Sequence, residues 1–97
     1  MSHLTMKPLT SYVVAVGAAS AQQASPVGFG IDTVRLVSTT NCWVKLGIAP
    51  VTADKTTSAY LPANVVQYFA VNQRGTESFA VIQDSAGGSL VITEMSR

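Results

Sequence analysis

"TVRLVSTTNCWVKLG", residues 33–47, contains two short β-rich runs joined by three polar residues. In a strand, successive side chains point to opposite faces. Val34 and Leu36 then share one face, with Arg35 on the other. Cys42, Val44 and Leu46 share a face opposite Trp43 and Lys45. The period is two on both sides of the junction, and neither run is long enough for an amphipathic helix. Thr39-Thr40-Asn41 supplies the turn, and Asn tolerates the left-handed conformation that tight turns require. This reads as two short strands joined by a tight turn, and it sets the class for the rest of the chain.

The same pattern recurs outward from it. Strands are predicted over 12–16, 18–24, 33–38, 42–46, 65–71, 77–83 and 89–94, with a short further strand over 56–60. Leu61-Pro62-Ala63-Asn64 places Pro where a turn favours it and Asn where a positive φ is needed. Asn72-Gln73-Arg74-Gly75 ends one strand, and 84–88 reads as a hairpin loop. Residues 47–59, with Pro50, form the longest irregular connection and are expected to cross between sheets. No window holds a helical period, and short strands at regular spacing indicate a sandwich or barrel. The fold class expected is all-β: a single antiparallel β-sandwich, jelly-roll or Greek-key-like, of about 7–8 strands. Residues 1–10 read as an extended N-terminal arm, since Pro8 disfavours helix before it, and residues 11–97 as the sandwich domain.

"YVVAVGAASAQQASPVG", residues 12–28, offers a competing reading. An apolar run leading to Ala19-Ser20-Ala21 has the look of a secretory signal peptide with its cleavage site. Lys7 is followed at once by Pro8, however, and Thr10 and Ser11 interrupt the apolar run. Tyr12, Val13, Val14 and Val16 suit a strand better than a helical signal core. The stretch is expected to be strand, a bend at Gly17, then strand.

Composition narrows the function. The chain has 97 residues, one domain's worth, of which 47% are apolar and only 11% charged. Globular domains typically carry about 25% charged residues. A weakly charged surface suits a protein covered by partners better than one free in solution. Not every strand has a polar second face: Trp43, Tyr68, Phe79 or Val81, and Val91 are left over after one face fills a core. These require another cover. The net charge of +1, without a basic run, provides no electrostatic footprint for nucleic acid and no polybasic membrane signal.

Catalytic chemistry finds little to use. The single histidine, His3, sits in the arm, a poor platform for a base. The five acids, Asp32, Asp54, Glu77, Asp84 and Glu94, are dispersed and read as solvated or turn-capping carboxylates. The single cysteine, Cys42, lies among apolar neighbours and reads as a small core hydrophobe. Gly28-x-Gly30 and Gly87-Gly88 precede no helix and are not phosphate loops. No enzymatic activity, cofactor, metal or small-molecule substrate is expected.

Taken together, "TVRLVSTTNCWVKLG", "IAPVTADKTTSAY", "LPANVVQYFAV" and "ESFAVIQDSAGGSLVITEM" make a pattern. It resembles the small β-sandwich virion structural proteins of tailed bacteriophages, the head decoration or cement type. The resemblance covers about two-thirds of the chain and lies in the order of strands and turns. Asn64 stands where that pattern has Gly. The resemblance implies a capsid decoration protein on the virion surface. It would bind the major capsid protein, form homo-oligomers and stiffen the shell. Trp43, Tyr60 and Tyr68 would be protein-interface anchors, with Leu4, Met6 and Leu9 of the arm reaching a neighbour. The alternatives are a carbohydrate- or receptor-binding module of a phage fibre, which Trp43 and the tyrosines would serve, and a neck or tail connector.

Overall fold

The computed structural model describes residues 7–96, which contain eight strands and no α-helix. They are β1 (Lys7–Val16), β2 (Ala21–Gln22), β3 (Thr33–Ser38), β4 (Cys42–Ile48), β5 (Ala59–Leu61), β6 (Gln67–Ala70), β7 (Glu77–Gln83) and β8 (Gly88–Ser96). One four-stranded sheet has the order β1-β8-β3-β6, the other β2-β7-β4-β5, and every pairing is antiparallel. The chain switches sheets at every connection except β4 to β5. This is jelly-roll connectivity, a double sheet built from two Greek keys.

The core lies between the sheets and follows from alternation. Rows of cross-strand neighbours run inward as Tyr12–Ile92–Leu36, Glu94–Val34–Phe69 and Val44–Val81–Ala21. Leu36, Val34, Ile92, Leu90, Leu61, Cys42, Val81 and Phe79 are fully or almost fully buried. Phe69 meets Phe79 across the gap edge-to-face, with ring centroids 5.7 Å apart, a favoured geometry for aromatic pairs.

The two strands over 33–47 and the tight turn between them form as read, but the strands belong to different sheets and do not pair with each other. Thr39-Thr40-Asn41 is therefore a corner. Ser38 Oγ donates to the Thr40 carbonyl, Asn41 Oδ1 accepts from the Ala63 amide, and Thr39 Oγ1 accepts from the Ser89 amide. Gly88 is required here: a methyl on it would lie 2.5 Å from Thr39 Oγ1 and 2.8 Å from Thr40 Cγ2. Asn64 holds the left-handed conformation expected of it, at φ 61°, and its amide bonds the Ser38 carbonyl.

Three expectations need correction. The strand over 18–24 shrinks to the two residues of β2, because only Ala21 and Gln22 stand in ladder register with β7, although the Gln23 amide still donates to the Phe79 carbonyl. The strand over 65–71 loses its first two residues and its last: Val65 and Val66 are exposed and lie outside the ladder, so their β-branching alone does not make a strand. The connection after β4 does not cross between sheets. It folds back over the outside of the second sheet, where the Val51 amide donates to Gln22 Oε1 and the Ala53 amide to Ser20 Oγ. That cover explains why Ser78 and Ala80 are buried on a face that points away from the core.

Strand β1 starts at Lys7, earlier than the sandwich was expected to begin, so residues 7–10 of the expected arm belong to a strand, with Lys7 and Pro8 paired to β8. Pro8 faces Met95 and Ser11 faces Thr93, leaving Leu9 and Thr10 opposite Glu94 alone. This is a β-bulge, a device that bends and interrupts an edge strand.

Candidate interaction surfaces

The outer face of the first sheet carries two readable rows. Val13, Val91 and Val37 are cross-strand neighbours over β1, β8 and β3. Next to them lie Ser11, Thr93, Arg35 and Tyr68 over all four strands. Ser11 and Thr93 share a hydrogen bond between their hydroxyls at 2.9 Å. Val13 is 69% exposed and Tyr68 57%, so the row of valines opens to solvent at the β1 edge. Arg35 is the only charged side chain in these two rows.

The outer face of the second sheet centres on Trp43, flanked by Tyr60 and Ile82. The Trp43 and Tyr60 rings sit edge-to-face, centroids 4.9 Å apart at 60°. The indole N–H donates to Asp84 Oδ1 at 3.2 Å, and Lys55 Nζ donates to the Asp84 carbonyl. Trp43 is half-buried and Tyr60 exposed. Behind this pair the β4–β5 connection is held by Asp54. Its carboxylate accepts from the amides and hydroxyls of Thr56 and Thr57. The same bonds hold the Asp54 carboxyl far below the usual carboxylate range.

At the end of the sandwich where β1 begins and β8 finishes, Phe29 is 85% exposed. It is bridged to Arg74 through an isolated backbone pair. The Gly30 amide bonds the Gln73 carbonyl at 2.8 Å. Gly30, Gln73 and Gly75 all have positive φ, so two loops are bent sharply to present this ring. Sequence reading missed Phe29. Its signal is the flanking Gly28-x-Gly30 pair, which is no phosphate loop and bends the chain through a positive φ at Gly30.

Inside the same end sits a buried acid. Glu94 was expected in solvent with the other carboxylates, but it is only 6% exposed. It is in phase with Leu90 and Ile92 and so points inward. Its Oε2 accepts from the Tyr12 hydroxyl and from the Gly28 amide, both at 2.8 Å. Accepting that proton holds the Tyr12 hydroxyl above the usual phenol range, with burial and the negative charge adding to it. The arrangement ties β1, β8 and the β2–β3 loop to one side chain. Cys42 is buried as read, and burial pushes its thiol up despite a hydrogen bond with Ser38. Among the described residues no cluster of three or more His, Cys, Asp or Glu is placed to hold a metal ion.

The anchors expected from the sequence therefore divide. Trp43 and Tyr60 come together on the second sheet, while Tyr68 lies on the outside of the first, across the thickness of the molecule. Leu9 is exposed at the bulge of β1. Leu4 and Met6 lie outside the described residues, as does His3. Comparison with protein-family models, curated proteins and solved structures finds no match.

Proposed function

We propose that this chain is a non-enzymatic structural protein of a tailed-bacteriophage virion, a capsid decoration protein. In this reading it binds the major capsid protein, associates with copies of itself and strengthens the head from its outer surface. One observation carries the reading: large apolar side chains lie uncovered on both outer faces and one end of a chain that is only 11% charged. Contiguous exposed apolar surface marks places where a protein meets another. Jelly rolls serve in viral capsids and in lectins alike, so the fold by itself does not choose between these uses.

The competing reading, a glycan-binding module, rests on Trp43 and Tyr60. An edge-to-face pair presents no shared flat platform, and the indole N–H is engaged by Asp84. A sugar would have the Tyr60 ring to stack on and little else, so the decoration reading is preferred.

Thermal rupture of particles made without this protein tests the proposal. Rupture at lower temperature, restored by adding the purified chain back, is the expected result. Unchanged rupture would overturn it. The number of copies per particle separates a shell component, present in hundreds, from a neck or tail connector that follows a low ring symmetry.

A further inference from the structure

We propose that two copies of this chain pair through their β1 strands, antiparallel about a two-fold axis at Val13, joining their first sheets into one continuous sheet of eight strands. The inference goes beyond the decoration reading and stands on the edge geometry alone.

Each sheet ends in two edge strands. β2, β5 and β6 have two, three and four residues, too short to offer a partner a run of ladder bonds. β1 has ten. Among the described residues nothing pairs with its free side, while its other side bonds β8. Long edges are normally blunted by charge, proline or a bulge. β1 has all three, and all lie at one end: Lys7, Pro8 and the bulge at Leu9 and Thr10. The remainder, Ser11 to Val16, is regular, and the chain carries no charged residue between Lys7 and Asp32. The guarded part and the open part of one strand are thus distinct.

The open part fixes its own register. Directly opposed residues in an antiparallel pair share a face, so a two-fold axis must pass through a residue and not between two. An axis at Tyr12 would draw the bulge into the pairing. An axis at Val14 keeps as many residues within regular strand, but it puts a buried, inward-facing side chain on the axis and sets the exposed Val13 against Ala15. An axis at Val13 sets Ser11 against Ala15, Tyr12 against Val14 and Val13 against its own copy, all within regular strand. Val13 is also the most exposed of the strand's large apolar side chains. The pairing lengthens the Val37–Val91–Val13 row into an unbroken row of six valines across both copies, which covers the edge where that row now opens to solvent.

Sedimentation of the purified chain over a wide concentration series, with a disulfide test beside it, decides the matter. The wild-type chain is expected to reach a dimer. Val13→Lys, which sets two like charges on the axis at a site already exposed, is expected to stay monomeric with an unchanged circular dichroism spectrum. Val13→Cys is expected to form a covalent dimer on mild oxidation, because opposed Cα atoms lie about 4.5–5.5 Å apart, within disulfide reach. Ser11→Cys is expected not to, since its two copies would be displaced by roughly 14 Å along the strands. Native Cys42 is buried and does not compete.

A wild-type chain that stays monomeric at every concentration would overturn the pairing. So would a Val13→Cys chain that cross-links no faster than Ser11→Cys. If Val13→Lys fails to fold, the two cysteine variants still decide. A monomer in solution together with particles weakened by loss of the chain would sink the pairing and leave the shell role standing. A dimer with unweakened particles would do the reverse.

Discussion

Replacing Glu94 by alanine removes one acceptor from two donors, the Tyr12 hydroxyl and the Gly28 amide. Each donor is then left without its partner in a partly buried site. Losing bonds to a charged group costs on the order of 2 kcal/mol, read as a lowered urea midpoint. Glu94→Gln keeps a carbonyl acceptor and is expected to recover part of that loss. The same contact predicts an alkaline limit. The folded-state pKa of Tyr12 is raised above the usual phenol value, so the folded chain holds the phenol proton more tightly than the unfolded chain. The stabilisation is complete below the unfolded value and is lost as pH rises through the folded one. Unfolding midpoints measured from neutral pH upward are expected to fall above about pH 10, and Tyr12→Phe is expected to flatten that fall. Its phase with Leu90 and Ile92 points Glu94 inward, but nothing in the local sequence names the donors that make its burial tolerable. Its strand neighbours Thr93 and Met95 are not an alternating polar set, and its partners are 82 and 66 residues away.

At the scale of elements, legibility followed how many partners a strand has. β3 and β7 match their expected bounds, while β4 and β8 contain theirs and run two and three residues further. All four are interior strands, paired on two sides, and their alternating apolar residues are needed by the core. β2, β5 and β6 are edges, where a strand lasts only as long as its one neighbour allows. Edge ends are therefore set by distant partners and not by propensity. The β4–β5 connection was legible as irregular but not as a cover, because its contacts to Gln22 and Ser20 come from a segment about thirty residues earlier. Asp54 is what shapes it. Protonation at acid pH weakens all four bonds that Asp54 accepts. With a depressed folded-state pKa, their contribution is present above the usual carboxylate range and fades as pH falls through the lower value. Amide exchange at Thr56 and Thr57 is expected to accelerate in Asp54→Ala, while the amides of β7 keep their protection. Equal acceleration at both places would show that the turn is coupled to the whole fold and not local to the connection.

For the whole molecule, the sandwich class was readable and its strand order was not. A period of two states which residues face inward, and it does so for Val34, Leu36, Cys42, Val44, Leu90 and Ile92. It does not state which strand lies next to which. β1 and β8 are adjacent although most of the chain lies between them, and only the full set of pairings makes a jelly roll. The expected anchors show the same limit: three aromatics that looked equivalent in sequence are divided between opposite outer faces once the sheets are assigned.

Lys7 pairs with Ser96, so the first and last described strands finish side by side at the same end of the sandwich. A short linker joining these two ends would close the described chain into a ring without disturbing a ladder bond. New ends opened in the exposed loop at Ser85 and Ala86 would then leave the molecule at its opposite pole. Circular permutation is well tolerated where ends are close and the cut falls in an exposed loop. A permuted chain carries its fusion partner at one pole or the other as chosen. That makes this domain usable as a reversible mount: the same fold can be tethered at the Phe29 end or at the hairpin end, and whatever surface it sits on can be located by which tether still permits attachment.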